Sequence, residues 1–247
     1  MPQWIDLNSD IGELIDGYDE QILSLVTSGN ISCGVHAGSA ALTRKTIELA
    51  FARGVAIGAH PGLAGGYGRS TEHIAAGDTY DAIAYQLDGF LQTAADVGAS
   101  VTHVKPHGTL YNQAETDPKI ADAIVRAIKN VGSDLAVYGL AGGKLVAAAS
   151  SAGLAAVDEF FADRSYRADG TLMPRTLPGA VISDAAAVKE RTVTAVVGGA
   201  VVAVDGTILH FPIKSVCVHG DTLHAVQRIE DIRQSFTAAG IGVRKAV

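Results

Sequence analysis

Short β-branched or apolar runs alternate with longer amphipathic segments from one end of the chain to the other. Trp4–Leu7, Ile31–Cys33, Val55–Gly58, Val101–Val104, Leu135–Tyr138, Leu154–Val157 and Val216–Val218 have the length and composition of buried strands. Helices are predicted near Tyr18–Thr27 and over Leu42–Arg53, Asp78–Val97, Asp117–Val131, Lys144–Ser151, Asp184–Arg191 and Thr222–Ala239. The punctuation agrees. Gly54, Gly98 and Gly153 stand just past helix ends, and Asp117-Pro118 pairs an N-cap with proline at the first helical position. About seven β–α units at short spacing call for parallel strands covered by helices. No linker or shift in composition divides residues 1–247, so a single domain is expected. The fold class expected is α/β, a distorted (β/α) barrel of about seven parallel strands. Two interruptions stand out. Val201–Val204, Asp205-Gly206 and Thr207–Leu209 read as a β-hairpin excursion, and Phe161 to Gly179 as a long functional loop.

Composition narrows the function classes. The chain is 48% hydrophobic, enough for a sizeable core and against disorder. Its formal charge of -7 argues against nucleic-acid binding, which needs a basic footprint. Two cysteines, Cys33 and Cys217, are too few for a disulfide scaffold or a cysteine-built zinc site. The first residues lack the basic and apolar regions of a signal peptide, and no apolar run is long enough to span a bilayer. No membrane association and a cytoplasmic location are expected.

The functional signal is positional. In a parallel barrel the active site lies at the carboxyl ends of the strands, and nearly every predicted strand runs into ionisable residues there. The first runs into Asn8, Asp10 and Glu13; the second into Cys33 and His36; the third into His60. The fourth runs into Lys105 and His107, the sixth into Glu159, Asp163 and Arg164, and the last into His219 and Asp221. A lone histidine at a strand end is more often structural. Six strand ends converging on one face are hard to explain that way, because buried charge is costly unless paired. Asp10, Glu13, His60, His107, His219 and Asp221 are therefore the candidate acids and bases for hydrolysis at a carbonyl. Asn8, Lys105, Glu159 and Arg164 are the candidate substrate-binding residues, the two cations suiting a carboxylate or an oxyanion. A divalent metal would have to be assembled from different strands, with Asp10, His36 and His60 as its candidate ligands. His103 stands two residues before Lys105 and shares its face. The turn Gly139–Lys144 could hold an anion at a helix start, but its spacing is not that of a nucleotide-phosphate loop.

DLNSDIGE (6–13), NISCGVHAG (30–38), GVAIGAHPG (54–62), VKPHGTLYN (104–112), EFFADRSY with DGTLMPR (159–175) and VCVHGD (216–221) together resemble the LamB/YcsF family, in one order along most of the chain. The resemblance implies a distorted barrel of the glycoside hydrolase/deacetylase type. It also implies ATP-dependent opening of the lactam 5-oxoproline to L-glutamate, as the A subunit of a 5-oxoprolinase whose partners are subunits B and C. Two departures stand near the mouth. Ser39 replaces the aspartate usual after the HAG of the second motif, and Leu63–Ser70 is shorter than the usual turn and lacks its acid and second arginine. Two other readings remain: a metal-dependent amidase or deacetylase acting without ATP on another lactam or an acetylated sugar, and a non-catalytic lactam-binding subunit.

Overall fold

The computed structural model describes residues 3–14, 18–69, 72–219 and 224–247. The strands are β1 (Trp4–Ile11), β2 (Ser28–Ser32), β3 (Ala56–His60), β4 (Val101–Val104), β5 (Ala136–Leu140), β6 (Ala156–Phe161) and, after the antiparallel hairpin β7 (Ala200–Val202)–β8 (Ile208–His210), β9 (Ser215–Cys217). The parallel strands follow that order around a barrel, from β1 through β6 to β9, and β9 pairs back onto β1 to close it. A short β10 (Gly242–Val243) adds to the first residues of β1. The outer ring is α1 (Asp19–Leu23), α2 (Ala40–Ala52), α3 (Ala76–Val97), α4 (Gly108–Ala114), α5 (Pro118–Val131), α6 (Lys144–Ser151), α7 (Ala185–Gly198) and α8 (Ala225–Ala238).

The apolar core lies between strands and helices. Ile5, Leu7 and Ile11 of β1, Ile31, Ile57, Val104 and Val137 are buried with Ile47, Leu87, Phe90, Ile124, Ile128 and Ile229 of the helices. The other face of the strands fills the lumen, and there it is polar. Asp6, Asn8 and Asp10 alternate along β1 beside Ser28, Asn30 and Ser32 of β2, and all six are buried. Low in the barrel the Asp6 carboxylate accepts hydrogen bonds from Ser28 and Thr27 (both 2.7 Å), Ser215 (2.5 Å) and Tyr138 (3.1 Å). Burial still raises its pKa despite these donors.

Several boundaries differ from the sequence reading. β1 runs on to Ile11, so Asn8 and Asp10 are strand residues, held by lumen partners that a run of apolar residues does not reveal. The helix near Tyr18–Thr27 is only α1, because the chain must turn into β2 at Ser28. α7 passes Arg191 and stops at Gly199, whose φ of +61° lets the backbone leave the helix. Val204 does not join the hairpin ladder, since its N–H donates to Tyr166 O (2.9 Å), tying the excursion to the long loop. α4 and β10 have no counterpart in the sequence reading. Asp221 and Thr222 lie outside the described residues.

Candidate active site

β1, β3, β6 and β9, with the turns just past β1, β2, β4 and β9, bring their ionisable residues to one end of the barrel. At the centre is Lys105, just past β4 and 1% exposed, its ammonium between Asp10 Oδ1 (2.9 Å) and Glu159 Oε1 (2.8 Å). It also donates to Cys217 Sγ (3.1 Å) and stands 4.9 Å from the Phe161 ring centre. Burial works against the charge on Lys105, but Asp10 and Glu159 outweigh it and hold the ammonium charged well above the ordinary lysine range. Burial likewise opposes ionisation of Asp10, and His60 and Lys105 reverse the balance, so its carboxyl lies well below the usual range. Asn30 Nδ2 donates to Asp10 Oδ1 and to Asn8 Oδ1 (both 2.8 Å) and is oriented by His103, whose Nε2 donates to Asn30 Oδ1 (2.9 Å). Asn8 and Glu159 thus lie in the lumen beneath the mouth, both fully buried, and touch Lys105.

Beside this group stand His36, His60, His107 and Glu13. His60 Nδ1 faces Lys105 O (2.7 Å), and His107 Nε2 faces Tyr67 O (3.0 Å). A carbonyl only accepts, so those two nitrogens carry the ring protons. His60 Nε2 and His107 Nδ1 are then left facing one another at 2.9 Å, with Glu13 Oε1 at 3.9 Å and 3.4 Å from them. Neutral rings would set two lone pairs and a carboxylate against each other, an arrangement that calls for a cation between them. Burial, reinforced by the neighbouring rings, pushes the His107 pKa far down, so a ring proton is a poor source of that charge. His36 adds a ring stacked on His107 at 3.9 Å, its Nε2 3.0 Å from Glu13 Oε1 and its Nδ1 buried without a hydrogen-bond partner. Burial lowers the His36 pKa, while the partnered Glu13 is held below its usual range against burial. One ligand atom from each of Glu13, His36, His60 and His107 lies within 4.8 Å of every other, a donor set of the kind that binds a divalent metal. Asp10, the third ligand expected from sequence, reaches His60 Nε2 with Oδ2 at 3.4 Å and also falls in a group with Cys217 and His219.

Small residues make this crowding fit. A Cβ on Gly62 would lie 2.5 Å from His36 Nδ1, and one on Gly68 would lie 2.8 Å from His107 Cδ2. Ser39, where the family usually has aspartate, caps α2, its Oγ accepting from Leu42 N (3.2 Å). Serine and aspartate do that work equally well, so this departure is local.

A cavity of about 640 Å³ opens over the site, lined by Asp10, His60, Lys105, His107 and His219 and walled by the loops after β3 and β6. His219 is oriented by Asp163, which accepts from Nδ1 (2.8 Å) and leaves Nε2 for a substrate. Asp163 lies below its ordinary range, burial being outweighed by His219. Arg164 donates through Nε to Ala180 O (3.2 Å) and through Nη2 to Met173 O (2.6 Å), so much of its guanidinium staples the loop after β6. The Gly139–Lys144 turn is occupied from within, since Glu115 accepts from Lys144 N (2.6 Å) where a phosphate would sit. Burial pushes the Cys33 thiol up to about 12 and that of Cys217 well above its ordinary range, so neither is poised as a thiolate. Asn30 and Tyr67 join the site without having been picked from sequence, and Asp163 and His103, noted there only by position, orient His219 and Asn30. The period-two polar pattern of β1 and β2 was the available signal for Asn30.

The LamB/YcsF family model matches residues 5–247. The chain belongs to the LamB/YcsF family. A relative from Tolumonas auensis, named as the A subunit of 5-oxoprolinase, is 42% identical over 246 residues, 97% of this chain and 98% of its own length. The crystal structure of a lactam utilization protein from Thermus thermophilus superposes with a TM-score of 0.89 at 35% identity, covering 98% of this chain and 99% of that one. At the level of fold alone, a family 4 carbohydrate esterase from Streptomyces lividans matches with a TM-score of 0.50 at 10% identity, over 97% of this chain and 91% of that one. The closed parallel barrel of this LamB/YcsF chain is the fold class expected from the sequence.

Proposed function

We propose that this chain is the A subunit of a 5-oxoprolinase, a hydrolase that opens the lactam of 5-oxoproline to L-glutamate with ATP and with partner subunits B and C. The end-to-end 42% identity to a relative of that name carries the reading. An unstrained lactam is a stable amide, and water alone opens it slowly. Transfer of the γ-phosphoryl group of ATP to the lactam oxygen, with loss of ADP and the ring N–H proton, makes a cyclic imidate phosphate. Water adds to its carbon, the C–N bond breaks as nitrogen takes a proton, and a second water releases phosphate from the resulting acyl phosphate to leave glutamate. In this reading Asp10, whose Oδ2 stands 3.4 Å from His60 Nε2, takes the proton of the attacking water. In the same reading His219, held by Asp163, protonates the departing nitrogen. Lys105 supports the negative charge that develops on the oxygens of the tetrahedral centre.

Glu13, His36, His60 and His107 would hold a divalent metal in this scheme. When bound it would supply Lewis-acid polarisation and a more acidic water. The same donor set favours a second reading, a metal-dependent amidase acting without ATP. One experiment separates them. Glutamate release from 5-oxoproline is measured for the chain alone and with subunits B and C, each with and without ATP, alongside elemental analysis of wild type and His60→Ala. Glutamate only from the complete ATP-fed mixture supports the proposal. Turnover by the isolated, metal-loaded chain without ATP supports the amidase.

A further inference from the structure

Between β3 and α3 the backbone makes one turn of the hand that L-residues disfavour. Four successive residues, Gly65, Gly66, Tyr67 and Gly68, have positive φ (+78°, +52°, +58° and +65°). Two hydrogen bonds close the turn, Gly68 N to Gly65 O (2.9 Å) and Arg69 N to Gly66 O (3.1 Å). Glycine enters this region freely, whereas the Cβ of an L side chain crowds the following carbonyl oxygen. Glycine at three of the four positions leaves that penalty on Tyr67, at φ +58° and ψ +34°. Among the described residues, Tyr67 is the one non-glycine with positive φ. Such a conformation persists only where its surroundings hold it.

The turn lies flush against the histidine group. A Cβ on Gly68 would stand 2.8 Å from His107 Cδ2 and 3.0 Å from His36 Cβ, and one on Gly108 would overlap Gly68 O. From there Tyr67 O faces His107 Nε2 at 3.0 Å. The main chain of His107 hangs on the same loop, its N–H donating to Pro61 O (2.8 Å). The hand of the backbone at residue 67 decides where that carbonyl points. A right-handed Tyr67 would turn it from the ring, leave Nε2 without this acceptor and let the ring proton move to Nδ1. There the proton would cover the lone pair that faces His60 Nε2 at 2.9 Å, within the group of Glu13, His36, His60 and His107.

We propose that Tyr67 is a positioning residue: its left-handed backbone, rather than its phenol ring, keeps the His107 proton on Nε2 and leaves Nδ1 open to a divalent metal. The inference rests on the metal-holding role given to that group above and not on the reaction assigned to the chain. A metal-bound imidazole commonly donates its other ring N–H to a backbone carbonyl or a carboxylate, which fixes both tautomer and ring orientation. Backbone strain at residue 67 and a fixed tautomer at residue 107 are the two ends of one hydrogen bond.

Gly66 gives access to the backbone alone. It is exposed and a Cβ there meets nothing within 4 Å, so Gly66→Ala opposes the left-handed turn without a clash. Gly66→Asn tolerates the turn better, and Tyr67→Asn removes the ring while keeping a residue that enters the left-handed region. Long-range proton–nitrogen correlation on the metal-free chain, isotope-labelled at histidine, reports which ring nitrogen carries the proton; the His107 signals are identified by their loss in His107→Asn. Calorimetry measures Zn²⁺ binding, and melting temperatures confirm folding. Wild type is expected to carry the His107 proton on Nε2. Folded Gly66→Ala is expected to show it shared with or moved to Nδ1 and to lose about tenfold to a hundredfold in zinc affinity. Gly66→Asn and Tyr67→Asn are expected to lose less. A wild-type proton on Nδ1, no zinc binding by wild type, or a folded Gly66→Ala unchanged in both readouts overturns the proposal. Tyr67→Asn losing as much as Gly66→Ala also overturns it, assigning the effect to the ring. Neither readout uses 5-oxoproline, ATP or a partner subunit, so an assembled enzyme that releases no glutamate would overturn the proposed function alone.

Discussion

His219 shows how one side chain can be prepared for proton transfer by its neighbours. Asp163 takes its Nδ1, is itself 2% exposed, and fixes which nitrogen faces the cavity. His219→Gln in the reconstituted enzyme should lower turnover by about 10²–10⁴-fold, while the melting temperature moves little. Retained turnover in a folded variant would remove His219 from the chemistry. His103 makes a different prediction, about stability. It is fully buried, and burial, aided by Lys105, lowers its pKa to about 3. The unfolded chain therefore binds a proton near pH 6.5 that the folded chain refuses until about 3. Stability from this group is present above the unfolded value and is lost as pH falls from there toward the folded one. One such proton sets a slope of about 1.4 kcal/mol per pH unit. Denaturation curves between pH 6 and 4 should be flatter by about that amount for His103→Gln, and parallel curves would contradict the assignment.

At the scale of the element, the loop after β3 and the entry to α2 set the histidine group by sterics and capping. Gly62→Ala would drive a methyl group into the His36 ring, an overpacking that typically costs about 1–3 kcal/mol. It should also displace His36 from Glu13, so a folded Gly62→Ala protein is expected to bind divalent metal more weakly; metal titration showing unchanged affinity would refute this. Ser39→Ala removes the α2 cap and should cost about 1 kcal/mol in denaturant unfolding, with Ser39→Asp close to wild type. These elements also show what the sequence revealed. Helices with strong punctuation were legible: α5 begins at Pro118 after the Asp117 cap, and α3 ends at Gly98 with φ +77°. The strand-end motifs were legible because glycine or proline stands within two residues of each histidine. The lumen was not, since Asp6 stands inside an apolar run and Asn8 and Asp10 read as residues past the strand end until Ser28, Asn30, Tyr138 and Ser215 are brought against them by barrel closure. Nor was the commitment of Lys105 to two acids, or of Arg164 to two carbonyls, because contacts between distant elements leave no local pattern.

For the whole molecule, the proposed ring opening falls to the strand-end site of the barrel, while the turn best suited to phosphate is closed from inside. Gly142 N donates to Asp158 Oδ1 (3.1 Å) and Lys144 N to Glu115 Oε2 (2.6 Å), so the amides that would cradle a nucleotide phosphate already hold carboxylates. Burial raises the Glu115 pKa to about 7, which leaves its charge finely balanced but its position in the turn unchanged. Division of labour follows: the energy of ATP is expected to be committed on the partner subunits, and the ring opened here. The purified chain supplied with 5-oxoproline, ATP and magnesium should then release glutamate at a small fraction of the rate of the mixture containing subunits B and C. It should also leave ATP intact when alone. The measurement is glutamate and ADP formed together over time, for the chain, for subunits B and C, and for all three. ADP without matching glutamate from B and C, converted to matched yields on adding this chain, is the expected pattern. Full activity from the isolated chain would overturn the division, because the nucleotide would then have to be handled within this barrel despite the acids that fill its glycine-rich turn.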